Sequence, residues 1–219
     1  PMPLDRAGIE AVQHRLIEAN GLKEGTVYLQ VSRGEADRDF LYPPGLAPLL
    51  VGFTQARRLT ETRAHLEGIS VDLVNDPRWE RRDIKTTMLL GQVIAKRTAR
   101  VGGFDDVWMV DDGMVTEGAS STAHIVTHDG RIVTRPPSRA TLPGCTGRAV
   151  ASLCERHGLI LERRAFSTGE AQGAAEAFQT SASSFVTPVV RIGNAVIGDG
   201  APGPMTRHLL QLYLEAARG

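Results

Sequence analysis

The chain has 219 residues, 42% of them apolar and 23% charged, with 25 basic side chains balanced by 25 acidic ones. That is enough to bury the core of one domain or two small ones, and with zero formal charge nothing suggests a nucleic-acid or acidic-membrane partner. No apolar run reaches bilayer-spanning length, and the start, Pro1-Met2-Pro3-Leu4-Asp5-Arg6, lacks the regions of a signal peptide. Two cysteines, Cys145 and Cys154, on one expected helix do not make a disulfide framework, so a reducing, cytoplasmic setting is expected.

Ile9, Val12, Leu16 and Ile17 recur at helical spacing within residues 6–20, and Gly21 and Gly25 break the pattern. Val27–Val31 and Leu49–Phe53 read as strands on either side of a loop from Arg33-Gly34 to Pro43-Pro44-Gly45. Val71–Val74 is a third strand, ended by Asp76-Pro77 because the residue before proline avoids helical geometry. A helix is expected from Thr86 to about Val101, with Leu89, Leu90, Val93 and Ile94 on its buried side. Asp111-Asp112-Gly113 and His128-Asp129-Gly130 are turn signals among Val107–Val110, Met114–Thr116, Ala123–Val126 and Ile132–Thr134, the pattern of a β-meander. A second helix spans roughly Thr146 to Arg156. Strands follow near Leu159–Leu161, Phe178 and Val186–Ile192, with a short helix after Ser167 and a C-terminal helix from Pro204. The expected class is α+β, mixed helices with much antiparallel sheet rather than a regular βαβ alternation.

Three segments carry chemistry. In Arg82-Asp83-Ile84-Lys85-Thr86 a lysine precedes a helix. Most lysines are solvated, but Ile84 and Met88-Leu89-Leu90 point to partial burial, which would make the amine a usable nucleophile. In Val115-Thr116-Glu117-Gly118-Ala119-Ser120-Ser121-Thr122 a carboxylate is followed by small hydroxyls. That is either a polar turn or a partner for a protonated ring nitrogen. In Leu142-Pro143-Gly144-Cys145-Thr146 a helix opens, and its free amides form a natural phosphate seat. The six histidines show no metal-ligand spacing, and no metal is expected.

Together with Tyr28–Gly34, Arg78-Trp79 and Thr187-Pro188-Val189, these segments resemble the fold-type IV pyridoxal-phosphate enzymes, and within them the D-amino-acid aminotransferases. The resemblance runs from about Val27 to Arg207. It implies that Lys85 forms the Schiff base with pyridoxal 5′-phosphate and shuttles the substrate proton, and that Glu117 pairs with the pyridine nitrogen. It also implies that Leu142 packs on the ring, that Cys145 and Thr146 bind phosphate, and that Arg78 lies near the phenolic oxygen. Ser121 and Thr122 belong to the same cofactor-facing segment. Arg38 matches the arginine that holds the substrate carboxylate across a homodimer interface. The substrates implied are a D-amino acid and a 2-oxo acid, with no nucleic-acid or membrane partner.

Four departures qualify the resemblance. Phe40 stands where the family's carboxylate clamp has a histidine, and Thr122 replaces an asparagine. Ala182 occupies the place of a phosphate-binding threonine, leaving Ser181 or Ser183 to serve, with Ser183 also beside the substrate. The chain enters the pattern after the family's usual first several tens of residues, which carry a phosphate-binding arginine and a tyrosine, so the sequence is expected to be part of a longer protein. Residues 1–60 would then be the remainder of a small N-terminal α/β domain and 61–219 the C-terminal cofactor-binding domain. Branched-chain L-aminotransferase, (R)-amine transaminase, aminodeoxychorismate lyase and a catalytically silent relative remain as alternatives.

Overall fold

The structure, a computed structural model, describes residues 2–218. It divides into two compact units, one running to Leu59 and the other starting at Thr60.

The first unit is a helix on a hairpin. Helix α1 (Arg6–Ala19) opens at Asp5, whose carboxylate accepts the Gly8 N–H at 2.8 Å and so satisfies one of the free donors of the first turn. Strands β1 (Gly25–Ser32) and β2 (Leu49–Ala56) pair antiparallel in unbroken register from Gly25↔Ala56 to Ser32↔Leu49. Tyr28 and Phe53 lie opposite each other and stack with centroids 4.9 Å apart. The irregular segment 33–48 joins the strands and leaves Arg38 and Phe40 exposed.

The second unit begins with α2 (Arg63–Glu67), β3 (Ile69–Asn75) and α3 (Leu90–Val101). Strands β4 (Asp106–Asp111), β5 (Met114–Gly118), β6 (Thr122–Val126) and β7 (Ile132–Thr134) follow. Then come α4 (Cys145–Arg156), β8 (Leu161–Arg163), α5 (Thr168–Gln172), β9 (Glu176–Ser181), β10 (Phe185–Ile192), β11 (Ala195–Val196) and α6 (Pro204–Arg218). One sheet has the order β5-β4-β3-β10-β9-β6-β7-β8, with β11 beside β10. Strand β3 runs parallel to β4 and β10, β7 runs parallel to β8, and the remaining pairs are antiparallel. The class is the mixed α+β arrangement expected.

The expected meander is two separate hairpins. Strand β6 pairs with β9 from Thr122↔Thr180 to Val126↔Glu176, while the Val115 amide of β5 donates to the Phe166 carbonyl at 3.1 Å. The turn between β5 and β6 is tight: Gly118 N–H donates to the Ser121 carbonyl at 2.8 Å, and a Cβ on Gly118 would lie 2.1 Å from Ser121 Oγ. Any larger residue there would push the Ser121 hydroxyl aside. The core has a central cluster around Trp108, Val115, Ile125, Phe166 and Ile192, and a second under α4 and α6 around Val150, Phe178, Val186 and Leu209.

Helix α3 corrects two expectations. It starts at Leu90, not Thr86, because Thr86 Oγ1 accepts the Met88 N–H at 3.3 Å, a local bond that competes with helix formation. Its buried side is Ala95 and Ala99, packed with Val107 and Met109, while Leu89, Leu90, Val93 and Ile94 are exposed. Small side chains let the helix lie close on the sheet, so the larger apolar stripe faces away from it. No helix among the described residues is long and apolar enough to cross a membrane.

Candidate active site

The buried end of the site grows from the end of β5. Glu117 is 4% exposed, and both its oxygens accept the Leu142 N–H at 3.1 Å while Oε1 also accepts from Arg78. Arg78 cannot swing away. Its Nε donates to Asp76 Oδ1 at 2.9 Å and a terminal nitrogen donates to Asp76 Oδ2 at 2.7 Å, a two-pronged grip that fixes the plane of the guanidinium. Thr116 Oγ1 donates to Asp76 Oδ2 at 2.8 Å, and Arg82 Nε lies 3.3 Å from the same oxygen. Arg82 also donates to Asp111 at 2.8 Å.

These charges are largely dry, and their pairing decides the protonation. Burial pushes the Glu117 carboxyl above the usual carboxylate range, with Arg78 and the Leu142 amide opposing that rise. Burial also works against the Asp76 carboxylate, but the bonds and charge of Arg78, with Thr116, outweigh it and hold its carboxyl below that range. Burial likewise opposes the Arg78 charge, and its two carboxylate partners overcome this and raise its pKa.

The second part is the N-terminus of α4. Gly144 caps the helix without any side-chain bond, so first-turn amides lack the usual capping acceptor. Thr146 Oγ1 and Ser121 Oγ are buried with no hydrogen-bond partner among the described residues. A Cβ on Gly144 would come within 2.9 Å of Thr122 Oγ1, so the helix start lies close against that hydroxyl. Free amides, a helix dipole and unused buried hydroxyls suit an anion. Leu142, whose amide binds Glu117, joins this seat to the carboxylate end.

Lys85 is exposed on the loop before α3, with Ile84, Met88 and Leu89, which corrects the expected partial burial. The loop is held by side chains ahead of it: Arg81 pairs with Asp83 at 2.9 Å, and the Arg82 amide donates to the Arg139 carbonyl at 2.9 Å. A Cβ on Gly91, in the first turn of α3, would lie 3.0 Å from Arg78 Cγ, so the start of α3 lies against the buried cluster.

Ser181 and Ala182 close β9 at its turn into β10. The Ser181 hydroxyl is engaged with Ser184, at 2.7 Å to its Oγ and 3.2 Å from its amide. Ser183 lies in that turn, while Arg38 and Phe40 belong to the first unit. Cys145 is exposed at the start of α4. Several residues at the centre of this region escaped the sequence reading. From the sequence Asp76 reads as the end of a strand and Arg82 and Thr116 as flanking residues. The Asp-x-Arg spacing of Asp76 and Arg78 was the available signal, since two residues so placed at a strand end can share a bidentate bond.

Residues 1–192 match the amino-transferase class IV family. The chain is 35% identical over 208 residues to the D-alanine aminotransferase of Bacillus licheniformis, covering 95% of this chain and 73% of that protein. It is 34% identical over 200 residues to the D-alanine aminotransferase of Staphylococcus haemolyticus, covering 90% and 70%. Among solved structures it resembles Escherichia coli branched-chain amino acid aminotransferase with a TM-score of 0.86 at 21% identity, over 98% of this chain and 73% of that one. A Legionella pneumophila structure described as a putative 4-amino-4-deoxychorismate lyase gives a TM-score of 0.85 at 19% identity, covering 98% and 78%. The fold is that of the fold-type IV aminotransferases. The chain belongs to the class IV aminotransferase family and is a pyridoxal-phosphate-dependent aminotransferase. Its own residues fit that cofactor, with a buried carboxylate paired to arginine at one end and an uncapped helix with unused hydroxyls at the other.

Proposed function

We propose that the chain transfers an amino group between a D-amino acid and a 2-oxo acid, as one subunit of a homodimer. The observation that carries the catalytic reading is the buried Glu117, held by Arg78 and the Leu142 amide beside the α4 N-terminus. The preference for D-amino acids is supported by identity of 32–35% to proteins named D-alanine aminotransferase. Bound pyridoxal phosphate would supply an electron sink for the carbanion formed at the substrate Cα.

In this reading Lys85 holds the cofactor through its amine and moves the proton at the substrate Cα. Glu117 keeps a proton on the ring nitrogen. Its carboxylate is aimed before any ligand arrives, so it costs little reorganisation during reaction. Arg78, locked by Asp76, orients Glu117 and offers its remaining hydrogen-bonding capacity at the ring's phenolic side. Leu142 lies against the ring, Ser121 and Thr122 face the cofactor, and the amides of Cys145 and Thr146 with the Thr146 hydroxyl bind its phosphate. Ser181, Ala182 and Ser183 form the rim at the turn out of β9. Arg38, on an exposed loop, would grip the substrate carboxylate in the partner subunit's site, where a guanidinium offers two parallel bonds. Phe40 beside it makes that clamp more apolar. Residues 1–60 would serve as the small domain and 61–219 as the cofactor domain. The two free cysteines are in keeping with a cytoplasmic setting.

An absorption titration tests this reading. Purified protein with cofactor should change its visible-edge band on addition of D-alanine and not of L-alanine. The same change with L-leucine alone would replace the D-amino-acid reading with a branched-chain L-specific one.

A further inference from the structure

The anion seat has a gap in its chemistry. Ala182 carries no hydroxyl where the family resemblance places a phosphate ligand, and the neighbouring Ser181 hydroxyl is bonded to Ser184. Further into the sheet, Thr180 is 2% exposed and lies directly across from Thr122 on β6. Both hydroxyls meet the first turn of α4. A Cβ on Gly147 would stand 3.5 Å from Thr180 Oγ1 and 3.7 Å from Thr122 Oγ1. The floor beneath the uncapped helix end is therefore a pair of threonines.

Next to Thr180 is His124, 1% exposed and stacked on Phe178 with ring centroids 4.6 Å apart and planes 4° from parallel. Its Nε2 is 3.1 Å from Thr180 Oγ1, and its Nδ1 has no hydrogen-bond partner among the described residues. Burial, with the charge of Arg163 adding to it, depresses the imidazole pKa to about 3, so the ring is neutral near neutral pH and carries a single N–H. A proton on Nδ1 would be a buried donor with no acceptor. A proton on Nε2 leaves only an unused lone pair, the less costly defect. With the Nε2–H donated to Thr180 Oγ1, the threonine accepts from histidine and keeps its own proton to give. No acceptor for that proton stands among the described hydrogen bonds.

We propose that His124 turns the Thr180 hydroxyl into a donor to the phosphate seated at the α4 N-terminus, supplying the contact that Ala182 lacks. The proposal rests on the phosphate seat assigned above. His124 is a positioning residue, since it touches Thr180 and not the ligand. Thr122, across the strand pair, completes the threonine floor.

The experiment compares affinities of the apoprotein for pyridoxal 5′-phosphate and for pyridoxal, which lacks the phosphate. Thr180→Val should weaken binding of the phosphorylated ligand about ten-fold, the size of one hydrogen bond to a charged group, and leave pyridoxal binding unchanged. Adding Ala182→Thr to that variant should restore the loss by returning a hydroxyl at the neighbouring turn. In the unsubstituted apoprotein, nitrogen-15 NMR should show His124 protonated on Nε2. Equal weakening of both ligands, no weakening, or a proton on Nδ1 would overturn the proposal. Thr146→Val separates this from failure of the seat itself. If Thr146→Val discriminates against the phosphorylated ligand and Thr180→Val does not, the seat stands and the His124–Thr180 device falls. If neither variant discriminates, the phosphate lies elsewhere and both readings fall.

Discussion

Glu117 is 4% exposed and accepts hydrogen bonds on both oxygens, whereas Lys85, on the loop ahead of α3, is exposed among Ile84, Met88 and Leu89. The difference reflects what the fold must satisfy. A carboxylate buried at the end of β5 cannot be left without partners, because a stranded buried charge costs several kcal/mol. Arg78, Asp76 and the Leu142 amide are therefore part of the folded core as much as of the site. Lys85 makes no such demand, since water solvates its ammonium at no cost to the fold. Glu117 is preorganised by the requirements of stability. Lys85 follows a stretch of loop held by the pairs Arg81–Asp83 and Arg82–Asp111 and by the Arg82 amide on the Arg139 carbonyl. Function and stability should separate at Lys85 and stay joined at Glu117.

The largest effect expected is at the exposed end. Lys85→Ala should lower turnover by roughly 10⁴-fold or more, as loss of a covalent catalytic group does. It should move stability by less than about 0.5 kcal/mol, because an exposed side chain away from packing contributes little. Steady-state kinetics and a thermal melt on the same preparation check both halves. A large fall in melting temperature would mean that the lysine is a structural residue and would erase the contrast.

The buried end should behave in the opposite way. Glu117→Gln should reduce turnover by about 10²–10³-fold, the scale of losing one preorganised electrostatic partner. Truncation, as in Glu117→Ala, should also lower stability by about 1.5–3 kcal/mol, because the buried Arg78 and the Leu142 amide both lose an acceptor. Asp76 retains its grip on Arg78, which keeps the loss below that of a wholly unpaired charge. Near-normal turnover and an unchanged melt would make Glu117 an ordinary polar residue ahead of a turn.

The contrast also explains which parts were legible from the chain alone. Strands such as Ile132–Thr134 and helices such as Cys145–Arg156 follow from local pattern and emerge within a residue of the reading. Short motifs single out Glu117, Lys85 and Thr146 as candidates, and the structure shows Glu117 and Thr146 buried and Lys85 exposed. The orientation of α3 was not legible. It has two apolar faces, and periodicity marks the larger one, while close packing on β3 and β4 selects Ala95 and Ala99. The Arg78–Glu117 pair joins positions 39 apart in the sequence, and β3 and β5 lie on either side of β4. Likewise His124 and Thr180 meet because β6 pairs with β9, not with β5 as a meander would require.

The smallest effect expected is a pH dependence of stability that originates beneath the buried end. His124 has its pKa lowered from 6.5 to about 3 in the folded protein, first by burial and then by the charge of Arg163. The unfolded chain therefore binds a proton between those values that the folded chain refuses. Stability from this group is complete above about pH 6.5 and falls with acidification at up to about 1.4 kcal/mol per pH unit until about pH 3. Between about pH 7 and pH 5 the loss should be about 2 kcal/mol. Other buried groups act elsewhere or with the other sign. The depressed Asp76 carboxyl withdraws its contribution only once pH falls below its unfolded value of 3.8. The raised Glu117 carboxyl takes up its proton earlier in the folded state and so favours folding as pH drops through its range. Subtraction isolates the histidine: denaturant melts of the unsubstituted protein and of His124→Phe, at a series of pH values, should differ in slope between pH 5 and 6.5. Phenylalanine can keep the stack on Phe178 while it removes the proton site, so the variant's profile should be the flatter one. Equal slopes would show that His124 titrates alike folded and unfolded, and the dry floor beneath the anion seat would then be open to water.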